Sequence, residues 1–246
     1  MAGVAEKSAP VSGEAKVSGV RLRPRDAATL VLVDRNGAEP RVLMGRRRAS
    51  QIFLPNKFVF PGGRVDRADR TAASHDELPA GVVRRLLHDM KGRPSEARAR
   101  ALALAAIRET FEEVGLVIGC RPAASSTGSP PRHPTWRRFA ETGFVPALSQ
   151  LTLLARAITP PSRPRRYDTR FFLADAGCVS SDLRFGDDEL GEIGWFTLDE
   201  MRALDLPNIT RAIVEDLAHR LAAPDKDHPL PYYSFRNGSF RRDLID

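Results

Sequence analysis

The sequence predicts a mixed β-sheet covered on two faces by helices, an α/β (α+β) fold class. Three observations predict it. Apolar, β-rich runs come first, at 27–34 and 41–47; one long helical stretch follows, at 95–114; further strands then lead into a closing amphipathic helix at 209–223. At 246 residues and 42% apolar composition, the chain suits one large domain with tails and an insertion.

The elements follow in order. Residues 1–20 are rich in Ala, Ser, Gly and Val without periodicity and are expected to form a disordered leader, with the folded domain over 21–225. AATLVLVD, the turn RNGAEP and RVLMGRR read as a hairpin, and KFVFPGG as a short strand that breaks at Pro61-Gly62-Gly63. The chain then turns polar over about 65–95, an extra helical insertion with one helix in 80–90. The long helix ends at Gly115, a residue suited to the left-handed stop. RPAASSTGSPPRHP (121–134) is a loop by composition; 151–160 and 166–176 read as strands, and GEIGWFTLDEM (191–201) as a strand running into a helix. Residues 226–246 are expected to be a loosely packed extension.

Composition narrows the function classes. No run of about 18 apolar residues exists, so no membrane span is expected. The net charge of +7 admits an anionic partner, and 33 of the 38 basic residues are arginines, whose planar fork can engage two phosphate oxygens. Nucleic acid matches the sign of the charge, but no aromatic-studded basic strand, zinc spacing or recognition-helix pattern supports it. Two cysteines, Cys120 and Cys178, have neither ligand spacing nor the density of a disulfide scaffold, which fits a reducing cytoplasm. The five histidines are scattered at no ligand spacing, and neither a G-x-S-x-G nor a P-loop pattern occurs.

The segment IRETFEEVGL concentrates the chemistry. Glu109, Glu112 and Glu113 stand at i, i+3 and i+4 and share one side of the helix, opposite Leu104, Ile107, Phe111 and Val114. Acidic residues can simply fill a solvated face, as charge runs usually do. Here they lie in the last turns, where the helix dipole is negative and acids are least welcome, and that position favours a compensating cation. Grouped hard oxygen ligands suit Mg²⁺ or Mn²⁺ rather than zinc.

Arg108-Glu109-Thr110-Phe111-Glu112-Glu113-Val114-Gly115-Leu116, with FVFPGG upstream, resembles the Nudix box, R-E-U-x-E-E-x-G-U, where U is apolar and Thr110 is a soft match. The resemblance covers about residues 24–222. It departs in spacing: the family sets 14 positions between its first glycine and its arginine, whereas Gly63 and Arg108 lie 45 apart, so roughly 31 residues are inserted. Arg100 stands where the box has its first glutamate, which normally supports the box arginine, and Glu96 is a candidate substitute. The resemblance implies a catalytic set of Glu109, Glu112 and Arg108, with Glu109 a metal ligand or the base. Glu112, Glu113 and the carbonyl of Gly62 would complete the Mg²⁺ or Mn²⁺ site. A later acid, Glu189 or Glu192, is a further candidate ligand, and a plain solvated loop is the alternative for that stretch.

The resemblance also implies hydrolysis of a nucleoside diphosphate linked to another moiety. LMGRRRASQIFLPNKFVFPGGRVDRAD and ITPPSRPRRYDTRFFLADA are similar to the acyl-CoA diphosphatase branch, related to animal peroxisomal enzymes. That branch implies coenzyme A or acyl-CoA as substrate, with Arg46, Arg48, Arg64 and Arg170 clamping phosphates, the 3′-phosphate included. Each of these arginines is equally accounted for as a solubilising surface residue. No peroxisomal ending is read, so a cytoplasmic enzyme of bacterial type is expected. Hydrolysis of ADP-ribose, NADH or another nucleotide derivative, and a non-catalytic ligand sensor on the same fold, are the alternatives. A homodimer is compatible with the sequence, which does not decide the oligomeric state.

Overall fold

The structure is a computed structural model that describes residues 22–51, 54–122, 131–183, 189–224, 227–236 and 238–245. The expected leader, 1–20, lies outside the described residues. At the centre stands β1 (Arg25–Asp34), pairing antiparallel with β2 (Arg41–Arg47) and parallel with β8 (Tyr167–Asp175). Ala28, Leu30 and Leu32 of β1 face one apolar cluster and Val31 and Val33 the other, so the strand is buried on both faces and reads as a continuous apolar run.

The remaining strands extend this sheet. β3 (Phe58–Val59) pairs with β2, and β4 (Gly62–Arg64) pairs with β1, placing Gly62 opposite Thr29. β7 (Thr152–Ile158) lies antiparallel to β8, and β10 (Leu190–Thr197) antiparallel to β2. A small second sheet joins β5 (Leu116–Cys120), β6 (Val145–Pro146) and β9 (Val179–Asp182). On one face of the large sheet pack α1 (Ala80–Leu87), α2 (Glu96–Val114) and α3 (Pro134–Glu141); on the other pack α4 (Leu198–Ala203) and α5 (Asn208–Ala222). The layered arrangement expected from the sequence is the one found.

α2 positions the site. Its boundaries follow from local chemistry: the Ser95 hydroxyl accepts the Arg98 backbone N–H at the start, and Gly115 at φ 79° closes the end. The helix is buried almost all round rather than on one stripe. Ala99, Ala101, Ala103, Ala105 and Ala106 are fully buried, and their small side chains let sheet and flanking helices approach closely.

Residues 226–246, expected as a loose extension, depart most from the reading. β11 (Leu230–Arg236) and β12 (Ser239–Ile245) form an antiparallel hairpin, and β11 pairs parallel with β7. Leu230, Tyr232 and Ile245 enter the α2-side core, which pins the hairpin by burial. Among the described residues no helix is long and apolar enough to cross a membrane, and Cys120 and Cys178 are free.

Arg170, expected to clamp substrate phosphate, is corrected by its environment. It is 1% exposed and its guanidinium is engaged by Asp168, which also takes two hydrogen bonds from Arg156 at 2.8 and 2.9 Å. Arg156 further donates to the carbonyls of His88 and Asp89, tying the insertion to the sheet. Arg170 is therefore part of a buried ionic core beneath the insertion, sealed from solvent. Removing one member of such a cluster strands its partners without water. Asp168→Asn is expected to cost about 3–5 kcal/mol in equilibrium denaturation. Although burial opposes it, Arg156 and Arg170 hold the Asp168 carboxyl below its ordinary range, so this stabilisation should be present at neutral pH and fade only in strong acid.

Candidate metal centre

The three glutamates are not a solvated face. Glu113 is 1% exposed, and the side chains of Glu109 and Glu112 retain 15% and 32% of their accessible area. Glu113 accepts the Gly62 backbone N–H at 2.9 Å. At Gly63 a Cβ would fall 2.5 Å from the Glu109 carboxylate, so any larger residue there would displace that carboxylate from its place against the strand. The Pro61-Gly62-Gly63 break and the glutamates, about 50 residues apart in sequence, are thus one structural unit.

Arg108 organises the acids. Its Nη1 lies 2.9 Å from Glu109 and 3.2 Å from Glu112, and its Nη2 donates to the Arg64 carbonyl at 2.8 Å. On the other side, Nε and Nη2 donate to Asp69 at 2.8 and 3.1 Å. Asp69 is fully buried and also accepts the indole N–H of Trp136 at 3.0 Å. The support of the box arginine therefore comes from the insertion. Glu96, the expected substitute, sits in the first turn of α2, and Arg100 instead donates to Glu77, Ser74 and the Ala72 carbonyl. Asp69 carries no signal in the sequence that sets it apart from Asp66 or Glu77; only the turn at 68–70 selects it.

The electrostatics of the cluster show a shortage of positive charge. Burial, then repulsion from Glu112, raises the Glu109 carboxyl to about 7 against the pull of Arg108. Burial and the charge on Glu109 push Glu113 well above the ordinary carboxylate range, opposed by the Gly62 N–H. Glu189 adds to both effects, which brings that acid to the edge of the cluster, where it accepts from Arg47 at 2.5 Å. Glu192 is turned toward solvent at 61% exposure and pairs with Arg46 at 2.8 Å. Arg46 also covers the Phe58 ring, while Arg48 and Arg64 are exposed.

Among the described residues no three His, Cys, Asp or Glu side chains converge on a ready-made metal cage; Arg108 and the Gly62 N–H engage the carboxylates instead. The donor set nonetheless fits a hard divalent cation: three carboxylates and a neighbouring backbone carbonyl, all oxygen. A cation there would also reverse the upward shifts of Glu109 and Glu113.

Across 80% of this chain and 91% of the other, the fold is similar to that of a Nudix hydrolase from Alicyclobacillus acidocaldarius, with a TM-score of 0.60 and 27% sequence identity. The chain belongs to the Nudix hydrolase superfamily. Among curated proteins, this Nudix chain is 31% identical to the acyl-coenzyme A diphosphatase NUDT19 of Gallus gallus, over 54% of its own length and 47% of the relative's. It is 28% identical to the putative nudix hydrolase 7 of Caenorhabditis elegans, over 61% of its length and 43% of that protein's. The chain thus spans less than half the length of either curated relative. No family model matches it.

Two outcomes test this Nudix centre. Asp69→Ala is expected to lower stability by about 3–5 kcal/mol, because it leaves Arg108 buried without its main partner; Trp136→Phe should lower it by about 1.5–3 kcal/mol through loss of one charge-assisted hydrogen bond. Both are read by denaturant titration. The second outcome concerns protons. In the fold Glu109 keeps its proton up to about pH 7, whereas a free glutamate releases it near 4.5, so the metal-free cluster favours folding less as pH rises through that window. A divalent ion must displace the protons that Glu109 and Glu113 hold, so Mn²⁺ affinity measured by calorimetry should rise with pH, by roughly tenfold per pH unit for each proton released. A flat profile would remove both carboxylates from the ligand set.

Proposed function

We propose that this chain hydrolyses the diphosphate of coenzyme A or an acyl-CoA with Mg²⁺ or Mn²⁺, releasing a 4′-phosphopantetheine product and adenosine 3′,5′-bisphosphate. The observation that carries a diphosphatase reading is the burial of Glu109 and Glu113 against Gly62-Gly63, with Glu112 beside them and Arg108 anchored behind. Similarity to the chicken acyl-coenzyme A diphosphatase and the insertion within the box favour the coenzyme A substrate.

In this reading Glu112, Glu113 and the Gly62 carbonyl hold the cation, with Glu189 as an additional acid at the rim. The ion, when bound, neutralises charge on the phosphoryl oxygens and lowers the pKa of water. Glu109 takes the proton of the attacking water, whose oxygen bonds to one phosphorus as the bridging P–O bond breaks. Asp69 holds Arg108 so that Glu109 and Glu112 keep fixed orientations through reaction. Arg46, Arg48 and Arg64 engage the diphosphate oxygens. The partner is a small nucleotide-derived molecule, met in a cytoplasmic setting.

A substrate panel in Mg²⁺ or Mn²⁺ tests this, scoring release of adenosine 3′,5′-bisphosphate against AMP. Coenzyme A and acyl-CoAs should be cut; if they stay intact while ADP-ribose is cleaved, the substrate assignment is wrong. Glu112→Gln should lose about 100-fold or more in turnover while melting like the wild type. Wild-type rates in that variant would defeat the role of Glu112.

A further inference from the structure

Beyond the Gly62–Gly63 strand lies a cleft of about 330 Å³, lined by Arg25, Arg64, Arg67 and Arg70 with Asp26 and Asp66. It begins one residue beyond Gly63, whose backbone abuts Glu109, and the Arg64 carbonyl is itself bound by Arg108. Two of its arginines, Arg67 and Arg70, come from the insertion, flanking the turn that delivers Asp69 to Arg108.

The charge in this cleft is unbalanced. Among the described residues none of the four guanidinium groups has an ion-pair partner. Arg98 takes both oxygens of Asp26, at 2.5 and 2.8 Å, and so removes that acid from the balance. Asp66 remains, one of its oxygens accepting the Ala68 N–H at 2.8 Å. Four positive groups around one small cavity repel one another unless an anion lies between them. A phosphomonoester supplies nearly two negative charges and three acceptor oxygens, a match for several guanidinium forks at once. The volume is at the low end for ligand pockets, enough for one end of a small molecule rather than a nucleic-acid strand.

We propose that this arginine-lined cleft is a second anion site, which holds a phosphomonoester of the substrate whose diphosphate lies at the glutamates. The inference rests on the function proposed above, under which the group is the 3′-phosphate of the coenzyme A ribose. Arg25, Arg67 and Arg70 then join Arg64 as specificity-determining residues, and the insertion both steadies the metal centre and reads the far end of the substrate.

Calorimetry in EDTA, with adenosine 3′,5′-bisphosphate and AMP as probes, tests the cleft without turnover. The wild type should bind the bisphosphate at least tenfold more tightly, and the double variant Arg67→Ala/Arg70→Ala should bring the two affinities within about twofold while melting normally. In parallel, the ratio of kcat/KM for coenzyme A to that for 3′-dephospho-coenzyme A should fall at least tenfold in the variant. Equal affinities in the wild type, or a full preference retained in the variant, would overturn the inference. If neither coenzyme is cleaved but the bisphosphate preference is present and lost in the variant, the functional reading fails and the anion site stands.

Discussion

Arg108 and Asp69 form a buried ion pair on which the arrangement of the whole glutamate cluster depends. The guanidinium is 4% exposed and reaches both ways, binding Asp69 and the Arg64 carbonyl behind it and Glu109 and Glu112 in front. Carboxylates crowded on one helix turn would otherwise repel each other into whatever rotamers separate them. A single planar cation, itself held on two sides, fixes where that repulsion can relax. Trp136 closes the back of the pair and excludes water, which strengthens it and raises the penalty for breaking it.

The same pair explains how a motif interrupted by an insertion keeps its geometry. Folding the intervening segment over the helix lets a short turn at 68–70 deliver an acid to the arginine from outside α2. Arg100, standing where the family pattern has its acid, serves the insertion instead by capturing Glu77, Ser74 and a backbone carbonyl. Helix and insertion have in effect exchanged the charges they contribute. Arg156 ties the far end of the insertion down through the His88 and Asp89 carbonyls, so the segment is fastened at both ends.

Much of this was legible in the sequence where the information is local. The hairpin, α2 with its Gly115 stop, and the facing of the glutamates follow from periodicity and turn chemistry. Long-range pairing was not legible. Asp69 looks like any other acid in a polar stretch until the turn carries it to Arg108. Arg170 looks like a surface arginine because charged residues in strands usually face water, and its burial depends on Asp168 and Arg156 meeting it across β7 and β8. In the terminal hairpin, β12 is interrupted by Arg241, Arg242 and Asp243, and the partner of β11, β7, lies more than 70 positions upstream.

That terminal hairpin has a consequence for handling the molecule. By lying parallel to β7, β11 covers that strand at Arg156 and Ala157, and β12 becomes the outer margin, carrying Arg241, Arg242 and Asp243. Charged margins resist end-to-end association with other chains, whereas a bare apolar strand invites it. A protease nick or shortened clone that removed the hairpin would therefore bare the edge of β7 and open the α2-side core at once, leaving a sticky, uncapped sheet.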